Sequence, residues 1–260
     1  MIKAQKSFGQ HFLKDNSILS KIADEVKLSD NDYNRIEIGP GMGALTNFLL
    51  LQNKKLSCIE VDKRCVAFLE EKYQKKIAEN LLEIVEADFL NIKLNSFLQQ
   101  QTLIVGNFPY NISSQIIFSV LDAYQKVPVM IGMFQKEMAA RVAAAHGSKT
   151  YGIISILTQF YYDVTFLFDV PPSSFVPAPK VDSAVIKLVR KDNIDENFNY
   201  SLLKHIVKMS FNQRRKMLRS SLKSIVPADI LKDEFYNLRP EQLSVLDFIE
   251  LTKKLEKLNQ

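Results

Sequence analysis

Residues 35–51 constrain the fold more tightly than any other stretch. Arg35-Ile36-Glu37-Ile38 reads as a short strand, Gly39-Pro40-Gly41-Met42-Gly43-Ala44 as a turn, and the apolar run from Leu45 to Leu51 as a helix. Glycines at alternate positions between a strand and a helix let the backbone approach a ligand at the strand's carboxyl end, the entry to a dinucleotide-type α/β fold. The stretch satisfies G-x-G-x-x-[GA], so spacing alone admits NAD or FAD. Pro40 weighs the other way, because it removes an amide and a pyrophosphate is held mainly by loop amides and the helix N-terminus. S-adenosylmethionine has an adenosine but no phosphate and loses less, so Glu37-x-Gly39-x-Gly41-x-Gly43 is the more natural cradle for it.

Three further strand ends follow in order. Residues 55–61 end in Glu60-Val61-Asp62, which puts Glu60 17 positions beyond Gly43, a spacing that suits an acid accepting from ribose hydroxyls. Asp62 is better placed to cap the helix 63–73. Residues 81–85 lead to Glu86-Ala87-Asp88, whose last carboxylate can accept from an exocyclic amine of the kind adenine presents. Residues 102–105 deliver Gly106 and then Asn107-Phe108-Pro109-Tyr110. An amide, a proline and an aromatic ring where a buried strand gives out can grip a flat, hydrogen-bonding base; the same tetrad also serves as a plain turn. Four successive strand ends carrying small or polar residues place the site on the carboxyl edge of a parallel sheet.

The rest of the chain reads as scaffold, linker and tail. A helix over 16–28, capped from Asp15 or Asn16, precedes the cradle. After the tetrad come a helix through Ile116 and Leu121, a strand 127–134, and helices 138–145 and 153–160 that continue the α/β alternation. Strands 161–168 and 184–189 are joined by the proline-rich loop 171–180. Residues 191–199 read as a linker, and everything from Tyr200 as helical, with helices opening at Pro227 and Pro240. The net charge of +5 lies wholly in this tail: from residue 200 there are 12 Lys+Arg against 7 Asp+Glu, while the first 199 residues balance. Lys204, Lys208, Arg214, Arg215, Lys216, Arg219 and Lys223 run without an intervening acid, a footprint suited to a phosphate backbone as well as to a solvated helix face. Cys58 and Cys65, with three scattered histidines, suggest neither a disulfide framework nor a metal site. No apolar run is long enough for a signal peptide or a membrane span, so a cytoplasmic protein is expected.

Seven ordered motifs identify a resemblance: Phe8-Gly9-Gln10-His11-Phe12-Leu13, Glu37-Ile38-Gly39-Pro40-Gly41, Glu60-Val61-Asp62, Ala87-Asp88, Asn107-Phe108-Pro109-Tyr110-Asn111-Ile112-Ser113, Phe175-Val176-Pro177-Ala178-Pro179-Lys180-Val181-Asp182-Ser183 and Phe211-Asn212-Gln213-Arg214-Arg215-Lys216. From about Lys6 to the last helix the chain resembles the bacterial KsgA (RsmA) ribosomal RNA adenine N6,N6-dimethyltransferases, relatives of the Erm resistance methyltransferases. The resemblance implies a Rossmann-like class I methyltransferase sheet with helices on both faces. A catalytic domain would span 1–192, with an arm over 1–14, and a small all-helical RNA-binding domain 193–260. It implies S-adenosylmethionine as cofactor, contacted by His11, Leu13, Gly39, Gly41, Glu60, Asp88 and Asn107, and a catalytic set of Asn107, Pro109, Tyr110 and Phe175. Tyr110 and Phe175 would stack on the two faces of the target base. Arg214, Arg215, Lys216, Arg219 and Lys223 would bind RNA. The implied substrate is a pair of adenosines near the 3′ end of small-subunit ribosomal RNA in a 30S-like particle, met by a monomer that binds no membrane. Two positions depart from the common pattern: His11 stands where Asn is frequent, and Phe108 where Leu is usual.

Overall fold

The computed structural model describes Ile2 and residues 10–258. Most of the expected N-terminal arm, Phe8 and Gly9 included, lies outside the described residues. The chain divides into two compact units, one comprising Met1–Ala139 with Asp163–Arg190 and the other Ala140–Tyr162 with Lys191–Gln260. Among the described residues no helix is long and apolar enough to cross a membrane.

The first unit is built on a seven-stranded sheet. Its strands are β2 (Asn34–Ile38), β3 (Leu56–Glu60), β4 (Leu82–Glu86), β5 (Thr102–Asn107), β6 (Val129–Gln135), β7 (Tyr162–Val170) and β9 (Ser183–Arg190), in the order β4-β3-β2-β5-β6-β9-β7. A separate two-residue ribbon pairs β1 (Phe12–Leu13) with β8 (Phe175–Val176), antiparallel, setting Leu13 opposite Phe175. The pairs β2·β3, β3·β4, β2·β5 and β5·β6 are parallel, and β9 runs antiparallel to β6. From β2 the chain winds outward through β3 to β4, then returns to place β5 on the other side of β2. That reversal opens a crevice at the carboxyl ends of β2 and β5, where open α/β sheets bind ligands. Thr102 to Gly106 of β5 are all buried, as a strand covered on both faces requires.

The helices that flank this sheet follow from local chemistry. In α1 (Asn16–Leu28) the Asp15 carboxylate accepts from the Ser17 and Ile18 amides, and Ile18, Leu19, Ile22, Ala23 and Val26 form one buried stripe. α2 (Ala44–Leu50) starts at Gly43, and α3 (Lys63–Lys72) at Asp62, whose side chain accepts from the Arg64 amide. The short α4 (Gln74–Ala78) and α5 (Leu94–Phe97) follow; α6 (Ser113–Asp122) buries Ile116, Ile117, Val120 and Leu121 behind the tetrad, and α7 (Lys136–Val142) follows β6.

The second unit departs from the sequence reading in three places. The helix α8 (Ile153–Tyr161), expected as catalytic-domain scaffold, groups with the tail instead: Phe160 packs on Phe198 and Tyr200 at 4.9 and 5.4 Å, and the fully buried Tyr151 meets Phe211 edge-on at 6.1 Å. Its apolar, glycine-flanked sequence fits the centre of a helical cluster as well as the face of a sheet. The basic stretch is also not one helix. α9 (Tyr200–Asn212) carries Lys204 and Lys208 and ends before Arg214, where the Gln213 and Arg214 amides turn back to the Ser210 and Phe211 carbonyls; the four-residue α10 (Leu218–Ser221) then begins with its Leu218 amide donating to the Leu238 carbonyl at 2.9 Å. Pro227 and Pro240 open isolated turns rather than long helices; the last helix is α11 (Val245–Leu258).

Phe108 shows how tightly the tetrad is seated. Its ring is 1% exposed and tilts against Phe134 at 5.1 Å, over the cross-strand pair Gly106 and Gly132. A Cβ on Gly132 would lie 2.2 Å from the Phe108 ring, and one on Gly106 2.6 Å from the Ile38 carbonyl. The larger aromatic is thus accommodated by the bare backbone of Gly132, while Gly106 is held to glycine by the Ile38 carbonyl as well. Gly132→Ala should cost about 1–3 kcal/mol through overpacking. Adding Phe108→Leu should return part of that loss, as urea unfolding of the single and double variants will show.

Candidate active site

The cradle is shaped by backbone that only glycine adopts easily. Gly41 and Gly43 have φ of 56° and 75°, and a Cβ there would meet the Phe12 ring at 2.9 Å or the Leu69 side chain at 2.8 Å. The amides of this loop are largely spent within the protein. Gly39 N–H donates to the Ile59 carbonyl at 2.9 Å, Gly41 N–H to Glu60 Oε2 at 3.0 Å, Gly43 N–H to the Pro40 carbonyl at 2.9 Å, and Pro40 has none to give. A pyrophosphate would therefore find the glycine amides engaged and carboxylates beside them.

The acids of the crevice are held in distinct ways. Glu60 is buried at the end of β3; its Oε1 accepts from the Val61 and Asp62 amides, both at 2.9 Å. With Gly41 on Oε2, three of the roughly four acceptor positions of a carboxylate are filled. One acceptor position stays open for a ribose hydroxyl, on Oε2. Burial raises the Glu60 pKa, and the three amides pull it back. Asp88 is exposed at the cavity rim, accepting from the Leu90 amide at 3.0 Å and the Asn91 side chain at 3.1 Å. Asp62 faces away into a contact with Arg64, whose hydrogen bonds hold its carboxyl well below the usual range, and also accepts from Gln10 at 3.0 Å.

Behind the cradle lies a cluster that motif reading missed. The Thr46 hydroxyl donates to Glu37 Oε2 at 2.6 Å and the Cys58 thiol approaches the same oxygen at 3.6 Å, all three being buried. Burial pushes the Glu37 carboxyl up to about 7, a shift that these hydrogen bonds oppose, and it raises the Cys58 thiol strongly. The signal in the sequence was a charged residue inside an apolar strand.

A cavity of ≈ 260 Å³ brings most of the expected residues together: His11, Leu13, Gly39, Gly41, Glu60, Asp88, Asn107, Pro109 and Tyr110 all line it. Asn107 Nδ2 donates to the His11 carbonyl at 3.0 Å. A carbonyl can only accept, so the nitrogen faces it and Oδ1 is the branch left to accept from a ligand. The Pro109 carbonyl takes the Ile112 amide at 3.2 Å and keeps a second lone pair. The Tyr110 hydroxyl is pinned to Ser183 Oγ at 2.6 Å, and its ring stacks with His11, centroids 5.4 Å apart and planes at 24°. Phe175 is not brought into this group. It is 2% exposed in the apolar core opposite Leu13, absent from the cavity wall, so the ring expected on the second face of the base instead anchors β8 to β1. In the second unit Lys216, Arg219 and Lys223 line a groove of ≈ 540 Å³ with Lys232, which sequence reading had not singled out. Arg215 is exposed outside that lining. Arg214 is turned inward, donating to the Ser148 carbonyl at 3.1 Å and lying 4.0 Å from Glu241.

Residues 1–256 match the family model for ribosomal RNA adenine dimethylase. The chain belongs to the ribosomal RNA adenine dimethylase family. It is 46% identical to the ribosomal RNA small subunit methyltransferase A of Phocaeicola vulgatus over 98% of this chain and 91% of that relative. It is likewise 46% identical to the same-named protein of Flavobacterium johnsoniae, over 98% and 97%. Among solved structures, a dimethyladenosine transferase from Plasmodium falciparum superposes with a TM-score of 0.82 at 27% identity, covering 96% of this chain and 98% of that one. The 23S rRNA methyltransferase ErmE does so with 0.72 at 25%, covering 93% and 99%. The enzyme is a class I methyltransferase and its cofactor is S-adenosylmethionine. The crevice fits that molecule, because its spent glycine amides and lining acids suit ribose hydroxyls, an ammonium and a sulfonium, and repel phosphate.

The buried Glu37 has a pH consequence. Its folded-state pKa, about 7, lies above its ordinary 4.5, so the folded chain binds an extra proton between those values. That contribution to stability is full below about 4.5 and is lost as pH rises through about 7, with a slope of at most about 1.4 kcal/mol per unit. Glu37→Gln should remove this slope from the urea-unfolding free energy measured between pH 4.5 and 8; parallel curves for the two proteins would contradict it.

Proposed function

We propose that this enzyme dimethylates N6 of two adjacent adenosines near the 3′ end of small-subunit ribosomal RNA. The observation that carries the reading is the Asn107 amide, fixed by the His11 carbonyl so that Oδ1 accepts at the end of β5, beside an acid-lined cradle. The adenine N6 lone pair is delocalised into the ring, which makes the amine flat and a poor nucleophile. S-adenosylmethionine supplies an electrophilic methyl group when bound. Glu60, Asp88 and the loop Gly39 to Gly41 would hold it. Asn107 Oδ1 and the free lone pair of the Pro109 carbonyl would accept the two N6 hydrogens, favouring a pyramidal nitrogen with its lone pair localised. Pro109 suits its place because a carbonyl is wanted there and a donor is not. Tyr110 offers its ring to a base that has left its stack. The work is positioning and electrostatics rather than acid–base exchange. Monomethyl product retains one N6 hydrogen, so a second round needs one acceptor.

The small-subunit substrate is favoured over a large-subunit one by the relatives' names and by degree: 46% identity to the small-subunit methyltransferases against 25% to ErmE. A non-catalytic assembly role is disfavoured because Asn107, Pro109 and Glu60 are all in place around the cavity. The exposed cations Lys216, Arg219, Lys223 and Lys232 would meet the RNA backbone.

Labelled methyl transfer to under-methylated small subunits, large subunits and duplex DNA should give dimethyladenosine only in the first. Asn107→Ala should lower kcat about 10²–10³-fold, the scale of losing one preorganised polar contact to the reacting group. Its affinity for S-adenosylmethionine should stay within a few-fold; near-normal turnover would sink the clamp. Replacing Lys216, Arg219 and Lys223 with Ala together should flatten the slope of log K against log salt by about 2–3. An unchanged slope would leave the groove a solvated surface.

A further inference from the structure

The proposed reaction gives work to the His11 backbone and to the Tyr110 ring but none to the His11 imidazole, although that side chain is tied into the site from two directions. Its Nδ1 lies 2.8 Å from the Pro177 carbonyl, and since that oxygen only accepts, Nδ1 carries the proton. Its ring lies over Tyr110 at 5.4 Å. Tyr110 is held in turn through its hydroxyl by Ser183, and the peptide of His11 holds Asn107. One residue of β1 thus joins the amide clamp, the aromatic ring and the segment that follows β8.

We propose that the His11 imidazole is a positioning residue for the target adenine, completing a two-ring platform with Tyr110, while the backbone of His11 keeps the contact with the cofactor. The inference rests on the reading of the site as an adenine N6 methyltransferase. A base inserted between two rings needs about 7 Å between them, two van der Waals spacings. At 5.4 Å the pair is closed, so the purine adds to the stack and does not slide into it. The ring therefore acts through Tyr110: it backs the phenol, limits its tilt and, through Pro177, fixes the part of the proline-rich loop that follows β8.

The test uses the full chain with His11→Ala and with His11→Phe, which keeps a stacking ring and loses the Pro177 hydrogen bond. Three quantities are read: the S-adenosylmethionine Kd by calorimetry, kcat and KM on under-methylated small subunits, and the fluorescence quench of 2-aminopurine placed at the methylated position of an RNA fragment. In His11→Ala the KM for RNA should rise about tenfold, the scale of one lost stacking contact. The quench should fall, the cofactor Kd should stay within about twofold, and His11→Phe should restore most of both RNA readouts. A weakened cofactor Kd with RNA KM unchanged would assign the ring to the cofactor and overturn the proposal, as would failure of His11→Phe to rescue or no change in any readout. Absence of adenine methylation by the unmodified enzyme is a different result, which removes the functional reading itself.

Discussion

The hydrogen bond from Asn107 Nδ2 to the His11 carbonyl is the contact on which the site depends. An unconstrained asparagine can present either end of its amide, and only one end can accept from an exocyclic amine. The direction is decided by a backbone oxygen 96 positions earlier in the chain, held in place because Leu13 pairs with Phe175 and is buried among the residues under the crevice. The two-residue ribbon β1·β8 is too short to add much stability of its own. Its service is to carry a peptide carbonyl to the end of β5 and to set the proline-rich loop beside it. A site built so is preorganised by covalent geometry and core packing, with little rearrangement left for the reaction to drive.

The same economy governs the cofactor side. Hydrogen bonds of the kind a ligand phosphate needs instead join the glycine loop to itself, to β3 and to Glu60. The loop is rigid as a result, and the crevice presents carboxylates. Cofactor choice follows from which donors the protein has already used, as much as from those it offers.

Much of this was legible in the sequence. Strand and helix periods, the alternate glycines and the acids at successive strand ends are local signals, and the parallel order of β2 to β5 places them together without further information. The motif resemblance supplied what locality could not: the reaction, and His11 and Leu13 as further members of the site. What stayed hidden depends on contacts distant in sequence. Phe175 looked available because a proline-rich loop reads as surface, yet its partner Leu13 draws it into the core. The basic stretch has helical composition, but the chain turns after Asn212, and the distant Leu238 carbonyl takes the Leu218 amide that a continuous helix would have used. α8 is apolar enough for either unit, and only the aromatic rings of Phe198, Tyr200 and Phe211 decide the matter. The Glu37, Thr46 and Cys58 cluster was written as three unremarkable letters on separate elements.

The seating of Phe108 over Gly106 and Gly132 bears on how such a site can change over generations. Phe108 and Gly132 share one volume, so their substitutions are not independent steps, whereas Gly106 is held to glycine by the Ile38 carbonyl whatever stands at 108. A lineage that begins with a smaller residue at 108 must clear position 132 before the ring can enter. Once the ring is in, Gly132 cannot readily regain a side chain unless the ring goes first. Packing of this kind works as a ratchet, restricting the routes by which such a pair of residues can be exchanged.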